Sequence, residues 1–274
     1  MDTKKVAVDG LQIAYHEQGS GRPVVFVHGN SCSKAVFQKQ LNSELAEKYR
    51  LLALDLPGHG ESDRADQGAD AYWVSFYSRH IAGFCRELGC PDAVLVGSSL
   101  GGHIVLESLP LLPEARGAAI LGAPPLHNPP RMTEAFLPNP CIVLAFKEEL
   151  TDDEIAQWGR LLYGPDIPVP EFSAPDLRQT DPRGRGALGD CVMSLGLRDE
   201  VEIARNTPFP LAILHAENET LVSLDYIRGL ALPNLWRGEV QIIPAATHIL
   251  QWERPESFNA LLGQYLADLA HQPA

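Results

Sequence analysis

The segment Gly97-Ser98-Ser99-Leu100-Gly101-Gly102 constrains the fold more than any other stretch of the chain. It follows the apolar run Ala93-Val94-Leu95-Val96, which reads as a short buried strand. Ile104, Val105, Leu106 and Leu109 then recur at helical spacing. Residues 97–101 fit G-x-S-x-G, in which a serine on a sharp strand-to-helix turn has its hydroxyl pushed clear of the backbone. The glycines two before and two after leave room for strand and helix to approach closely. The register selects Ser99, because Ser98 would need glycine where Val96 and Leu100 stand.

The rest of the chain alternates strand and helix patterns. Residues 6–8 and 11–16 read as a strand pair joined at Asp9-Gly10. The apolar run Pro23-Val24-Val25-Phe26-Val27 reads as a strand buried on both faces. A helical pattern over 35–46, a strand over 50–54 and an amphipathic helix over 72–88 follow, the last ended by Gly89 and Pro91. A strand over 118–121 comes after the Ser99 turn. Strands over 211–214 and 240–243 alternate with helices over 224–230 and 255–270. Such alternation predicts an α/β fold with a largely parallel sheet and helices on both faces. Between 125 and 205 it breaks into proline-dense turns and helical patches, one opened by the capping box Thr151-Asp152-Asp153-Glu154. Residues 1–124 and 206–274 are therefore read as the core, and 125–205 as an inserted helical lid.

Composition narrows the partners. The net charge of −13 disfavours nucleic acid and anionic membrane surfaces. No stretch is long and apolar enough to span a bilayer, and the N-terminus MDTKKVAVDG shows lysines without the apolar core of a signal peptide. Five scattered cysteines, without metal-finger spacing, read as reduced thiols in a cytoplasm. A small molecule is the expected partner, and a homodimer is an assembly this composition leaves open.

Reactive groups in open α/β sheets gather in loops at the carboxyl ends of the strands. One such loop is His28-Gly29-Asn30, whose Asn30 amide is a candidate oxyanion donor beside the Leu100 amide at the helix N-terminus. His248 stands in the loop after the last strand, as the chain order Ser…acid…His requires. His16 and His80 fall in a strand and a helix, and His59 in a turn; His103 follows the serine turn and is placed to support it or line a pocket. For the acid, the loop after 211–214 offers Glu219 as first choice and Glu217 as second. Ser99, His248 and Glu219 would then perform acyl transfer through a serine ester, with no metal or cofactor. Each oxyanion donor would contribute roughly 3–4 kcal/mol to the transition state.

With Asp55-Leu56-Pro57-Gly58-His59-Gly60 and Trp252-Glu253-Arg254-Pro255, these motifs make the chain resemble the α/β-hydrolase superfamily. The resemblance implies an eight-stranded, mostly parallel sheet with a cap after the sixth strand. A narrower resemblance, carried by HGNSCS at 28–33, SLGGHI at 99–104, GAPP at 122–125, Glu219 and Asn234-Leu235-Trp236, is to the metal-independent N-acylhomoserine lactonases of that fold. It implies opening of a homoserine lactone ring and hence quorum quenching. His28 and Gly29 would border the substrate. The lid would supply an apolar tunnel, for which Leu144, Phe146, Trp158, Leu161 and Tyr163 are candidates, Trp158 reaching over Ser99. The alternatives are a general carboxylesterase or aryl esterase, a carbon–carbon bond hydrolase, a perhydrolase, and a ligand receptor on a hydrolase fold. Activity is expected to survive chelator and to be lost to a serine-directed organophosphorus reagent.

Overall fold

The computed structural model describes residues 1–66 and 70–271. Eight strands form one sheet in the order β1-β2-β4-β3-β5-β6-β7-β8. They are β1 (Lys4–Val8), β2 (Leu11–Gln18), β3 (Arg22–Val27), β4 (Tyr49–Leu54), β5 (Val94–Ser98), β6 (Gly117–Leu121), β7 (Leu211–Ala216) and β8 (Gln241–Ile243). The β1–β2 and β2–β4 pairs are antiparallel, and every pair from β4 to β8 is parallel. The first hairpin turns through Asp9 and Gly10, both at positive φ, as a two-residue loop matching strand twist requires. Residues of β5, β6 and β7 are buried along their whole length. Continuous apolar runs are what a parallel sheet covered on both faces demands.

The helices Val74–Glu87, Leu100–Ser108 and Pro255–Ala270 form close to where the periodicity puts them. Gly89, at φ 64°, closes the first of these. The helical pattern over 35–46 does not give one helix. It breaks into a 3-10 turn at Lys34–Phe37, a single α turn at Gln38–Leu41 and a second 3-10 turn at Glu44–Glu47. Local side-chain bonds explain the interruption: Ser43 accepts from the Leu45 amide, starting a new turn where a helix would have run on. At the other end Asp55 accepts from both the backbone and the ammonium of Lys34, at 2.7 and 2.6 Å. This buried ion pair ties the loop after β4 to the loop after β3.

Between β6 and β7 the chain adds no strand to the sheet and instead folds into short helices. The helix Asp152–Tyr163 opens with both halves of the Thr151/Glu154 capping box in place. The helix Glu200–Arg205 at the end of this insertion packs on Leu100–Ser108. Polar bonds fasten the insertion to the core, including Ser33 Oγ donating to Asp176 at 2.7 Å and Asn30 Nδ2 donating to Ala145 O at 2.8 Å. Among the described residues no helix is long and apolar enough to cross a membrane.

Candidate active site

Ser99 follows β5 and caps the helix Leu100–Ser108 with φ 53° and ψ −123°, a sparsely populated conformation for a residue with a side chain. The flanking glycines make that turn sterically possible. A Cβ on Gly97 would lie 2.2 Å from Gly101 O, and one on Gly101 would lie 2.2 Å from Val27 O. Both contacts are with backbone that has nowhere to move, so any side chain at these positions would push the helix off the sheet. The Ser99 amide donates to Leu121 O at 2.8 Å, anchoring the turn to the end of β6. Leu100 is the first helical residue, so its N–H has no intrahelical acceptor, and the residue lines the same cavity as Ser99.

His248 reaches this point from the loop beyond β8. Its ring lies against the far side of the β6 terminus, where a Cβ on Gly122 would sit 2.9 Å from His248 Cε1. Ser99 and His248 thus flank the end of one strand and line one cavity. His248 Nδ1 meets the two carboxylate oxygens of Glu219 at 3.1 and 3.0 Å, with both side chains almost fully buried. Glu219 Oε1 also accepts from the amides of Thr220 and Leu221, each at 2.9 Å. Burial pulls the His248 ring down, yet the Glu219 charge and hydrogen bond outweigh it and hold the ring above the ordinary histidine value. For Glu219 burial acts upward, and the facing imidazole with the donated hydrogen bonds brings the carboxyl below its usual range. The other ring nitrogen, His248 Nε2, is buried without a partner among the described residues. Glu217, the second-choice acid, turns elsewhere and accepts from the Ala245 amide at 2.8 Å.

The loop after β3 completes the rim. The Ser31 and Cys32 amides are spent on His59 Nε2 and Gly29 O, which leaves the Asn30 amide just before them as the loop's candidate donor. The Asn30 side chain is fixed in turn. Ser31 Oγ donates to its Oδ1 at 3.0 Å, and Arg185 Nη1 donates to Ser31 Oγ at 3.2 Å. Arg185 is itself buried, with further bonds to the carbonyls of Lys147 and Glu148. A guanidinium from the insertion therefore sets the position of the Asn30 loop.

His28 does not border the cavity. Its Nε2 accepts from the Leu56 amide at 3.0 Å and its Nδ1 bonds Gly29 O at 2.8 Å, so the ring braces the loop from beneath. Gly29 lies behind the serine, where an added Cβ would be 3.1 Å from Ser99 Cβ. His59 does similar work, its Nδ1 bonding Pro57 O at 3.1 Å. Protonating either ring would put an N–H at Nε2 facing the amide N–H from which that nitrogen now accepts. Burial accordingly takes His28 down to about 4 and His59, which also feels His28, down to about 3. Because unfolded histidine titrates near 6.5, the unfolded chain binds more protons below that pH. The stability each ring contributes is present above pH 6.5 and is lost as pH falls toward 4 for His28 and toward 3 for His59, on the order of 3 to 5 kcal/mol per ring. The His28 and His59 ring proton shifts are expected to stay constant between pH 8 and pH 5.5 in an NMR titration; an inflection near pH 6.5 would contradict the neutral assignment.

A cavity of about 90 Å³ lies over Ser99. Of the lid residues expected to face it, Phe146 and Trp158 do. Leu144, Leu161 and Tyr163 are not on its wall. Tyr163 is buried near Cys32 and Asp176, in the packing between insertion and core. The insertion contributes Met132, Phe136, Ile142, Leu188, Val192 and Leu197 instead. These were not legible from the sequence, because which face of a short helix points inward depends on how the insertion docks. Trp158 Nε1 is buried without a partner among the described residues, a donor on a largely apolar wall.

The sequence profile of the Alpha/beta hydrolase family matches residues 24–261. The chain belongs to the alpha/beta hydrolase family. Among solved hydrolases of this fold, the N-acyl homoserine lactonase AidH, seen with N-butanoyl homoserine, superimposes with a TM-score of 0.94 at 30% identity, covering 100% of this chain and 99% of that one. A serine-to-glycine mutant of the same lactonase has been captured with N-hexanoyl homoserine lactone, again at a TM-score of 0.94 and 30% identity, with both chains covered completely. A non-heme haloperoxidase of Rhodococcus erythropolis is 26% identical over 95% of this chain and 97% of its own. A putative aryl esterase from Burkholderia cenocepacia shares the hydrolase fold at a TM-score of 0.83 and 20% identity, over 99% of this chain and 100% of that one.

Proposed function

We propose that this hydrolase opens the ring of N-acylhomoserine lactones, with Ser99 as nucleophile, His248 as general base and Glu219 as the acid that orients it. The observation that carries the reading is His248 Nε2, a ring nitrogen without a partner among the described residues, on the cavity that Ser99 lines from its strained turn. A buried imidazole with one nitrogen held by a carboxylate and the other free is arranged to take a proton. In the first step Ser99 Oγ attacks the ring carbonyl and His248 Nε2 accepts the hydroxyl proton. The Asn30 and Leu100 amides stabilise the oxyanion. The ring C–O bond then breaks, and His248 returns the proton to the departing hydroxyl of the homoserine. Water attacks the resulting serine ester by the same proton route, releasing the ring-opened acid. The amide to the acyl tail is untouched.

The largely apolar wall and the lactonase likeness along the full chain favour a lactone carrying a hydrocarbon tail. A panel of acylhomoserine lactones and open-chain esters of equal length, followed by acid release, tests this. The lactones are expected to give the higher kcat/KM, and a kcat/KM far below that of the simple esters would favour a general carboxylesterase. Trp158 supplies the donor for a substrate carbonyl. Trp158→Phe keeps the packing and removes only the N–H, and it is expected to lower kcat/KM for lactones about tenfold. An unchanged value would leave Trp158 as packing alone.

A further inference from the structure

Besides His248, His103 is the one ionisable side chain on the cavity wall among the described residues. It stands four residues beyond Ser99 on the same helix, hence on the same side and about 6 Å along the axis. Its Cα–Cβ bond tilts toward the helix N-terminus, as in any α-helix, and both residues line the same cavity. His103 Nδ1 meets Glu200 Oε2 at 2.8 Å and Oε1 at 3.0 Å. Glu200 is fully buried, and its Oε2 also accepts from the Leu126 amide at 2.9 Å. Burial pulls the ring down, but the Glu200 charge and hydrogen bond, with Glu107 one turn further on, hold it above the ordinary histidine value. The carboxylate thus fixes Nδ1 as a donor and stabilises the doubly protonated ring, which carries its second N–H at Nε2. His103 Nε2 has no hydrogen bond among the described residues. A buried carboxylate is expensive to keep, and a tie between two helices does not require one.

We propose that His103 is a specificity-determining residue whose Nε2–H bonds an oxygen on the acyl tail of the substrate. Tails that carry a carbonyl or hydroxyl a few bonds from the scissile ester are therefore preferred to plain tails of equal length. The inference rests on reading this cavity as the acyl-tail site.

The test compares N-hexanoyl with N-(3-oxohexanoyl) homoserine lactone. The unaltered enzyme is expected to favour the oxo compound about tenfold or more in kcat/KM. In His103→Phe/Glu200→Gln, which removes the pair together and keeps an acceptor for Leu126, that ratio is expected to fall toward one. A merely structural tie would lower both rates and leave the ratio in place, so a folded double variant that keeps the preference overturns the assignment. Calorimetric titration of the Ser99→Ala protein with the same two lactones repeats the comparison without turnover and without altering His103. A Kd about tenfold lower for the oxo compound supports the role of His103 even where neither lactone is hydrolysed, in which case only the ring-opening reading is lost. Equal Kd values, or equal kcat/KM values in the unaltered enzyme, overturn the role of His103 and leave ring opening standing. Absence of both binding and turnover overturns both.

Discussion

Ser99→Ala is expected to lower turnover of any ester or lactone substrate by about 10⁶-fold, the loss typical when the nucleophile of a serine triad is removed. Alanine keeps the turn, since Gly97 and Gly101 still allow the close approach of helix to strand, and it leaves the cavity intact. What disappears is the only hydroxyl that the described residues place on the cavity wall, at the helix N-terminus. The residual rate should come from the two amide donors and from binding. A further His248→Ala substitution in that background should therefore cost little more, because the base has nothing left to deprotonate. A Ser99→Ala protein within about a hundredfold of the parent, by acid release under saturating substrate, would mean that another group attacks.

Glu219→Gln should lower kcat by up to about 10⁴-fold. Glutamine fits the space but presents an amide that neither enforces the Nδ1–H tautomer nor offsets the imidazolium formed when Ser99 attacks. The two amides that now point at Glu219 Oε1 would keep an oxygen acceptor, so the loop should hold its shape. The pH profile carries a second signature. With Glu219 in place the His248 ring titrates above its ordinary value, and the base must be neutral to act. The acidic limb of kcat/KM should therefore lie above pH 6.5 in the parent and move to lower pH in Glu219→Gln. Glu217→Gln should have a small effect, because Glu217 holds only the Ala245 amide. The reverse ranking of the two variants would place the acid at Glu217.

Much of the frame is legible in the sequence because it is set by local chemistry. The glycines around Ser99 report a backbone contact that no other residue permits, and Thr151 with Glu154 reports a helix start that forms as written. The buried strands are legible because a parallel sheet covered on both faces needs unbroken apolar runs. The segment 35–46 misleads because its apolar spacing suits a helix, while Ser43 and the pull of Asp55 on Lys34 divide it into single turns. His28 misleads for another reason. A histidine beside an oxyanion loop suggests contact with substrate, yet both its nitrogens serve the backbone. The cavity wall was the least legible part. Met132, Phe136 and Leu188 become neighbours of Ser99 only through the docking of the insertion, and the partnership of His103 with Glu200 spans 97 residues of chain.

Intact-protein mass spectrometry after exposure to a fluorophosphonate tests most directly whether Ser99 is an activated nucleophile. The account predicts a single adduct that maps to the peptide containing Ser99, forms in step with loss of hydrolysis, and is absent from Ser99→Ala. Full hydrolysis with no adduct, or an adduct on a different residue that abolishes activity, would contradict it.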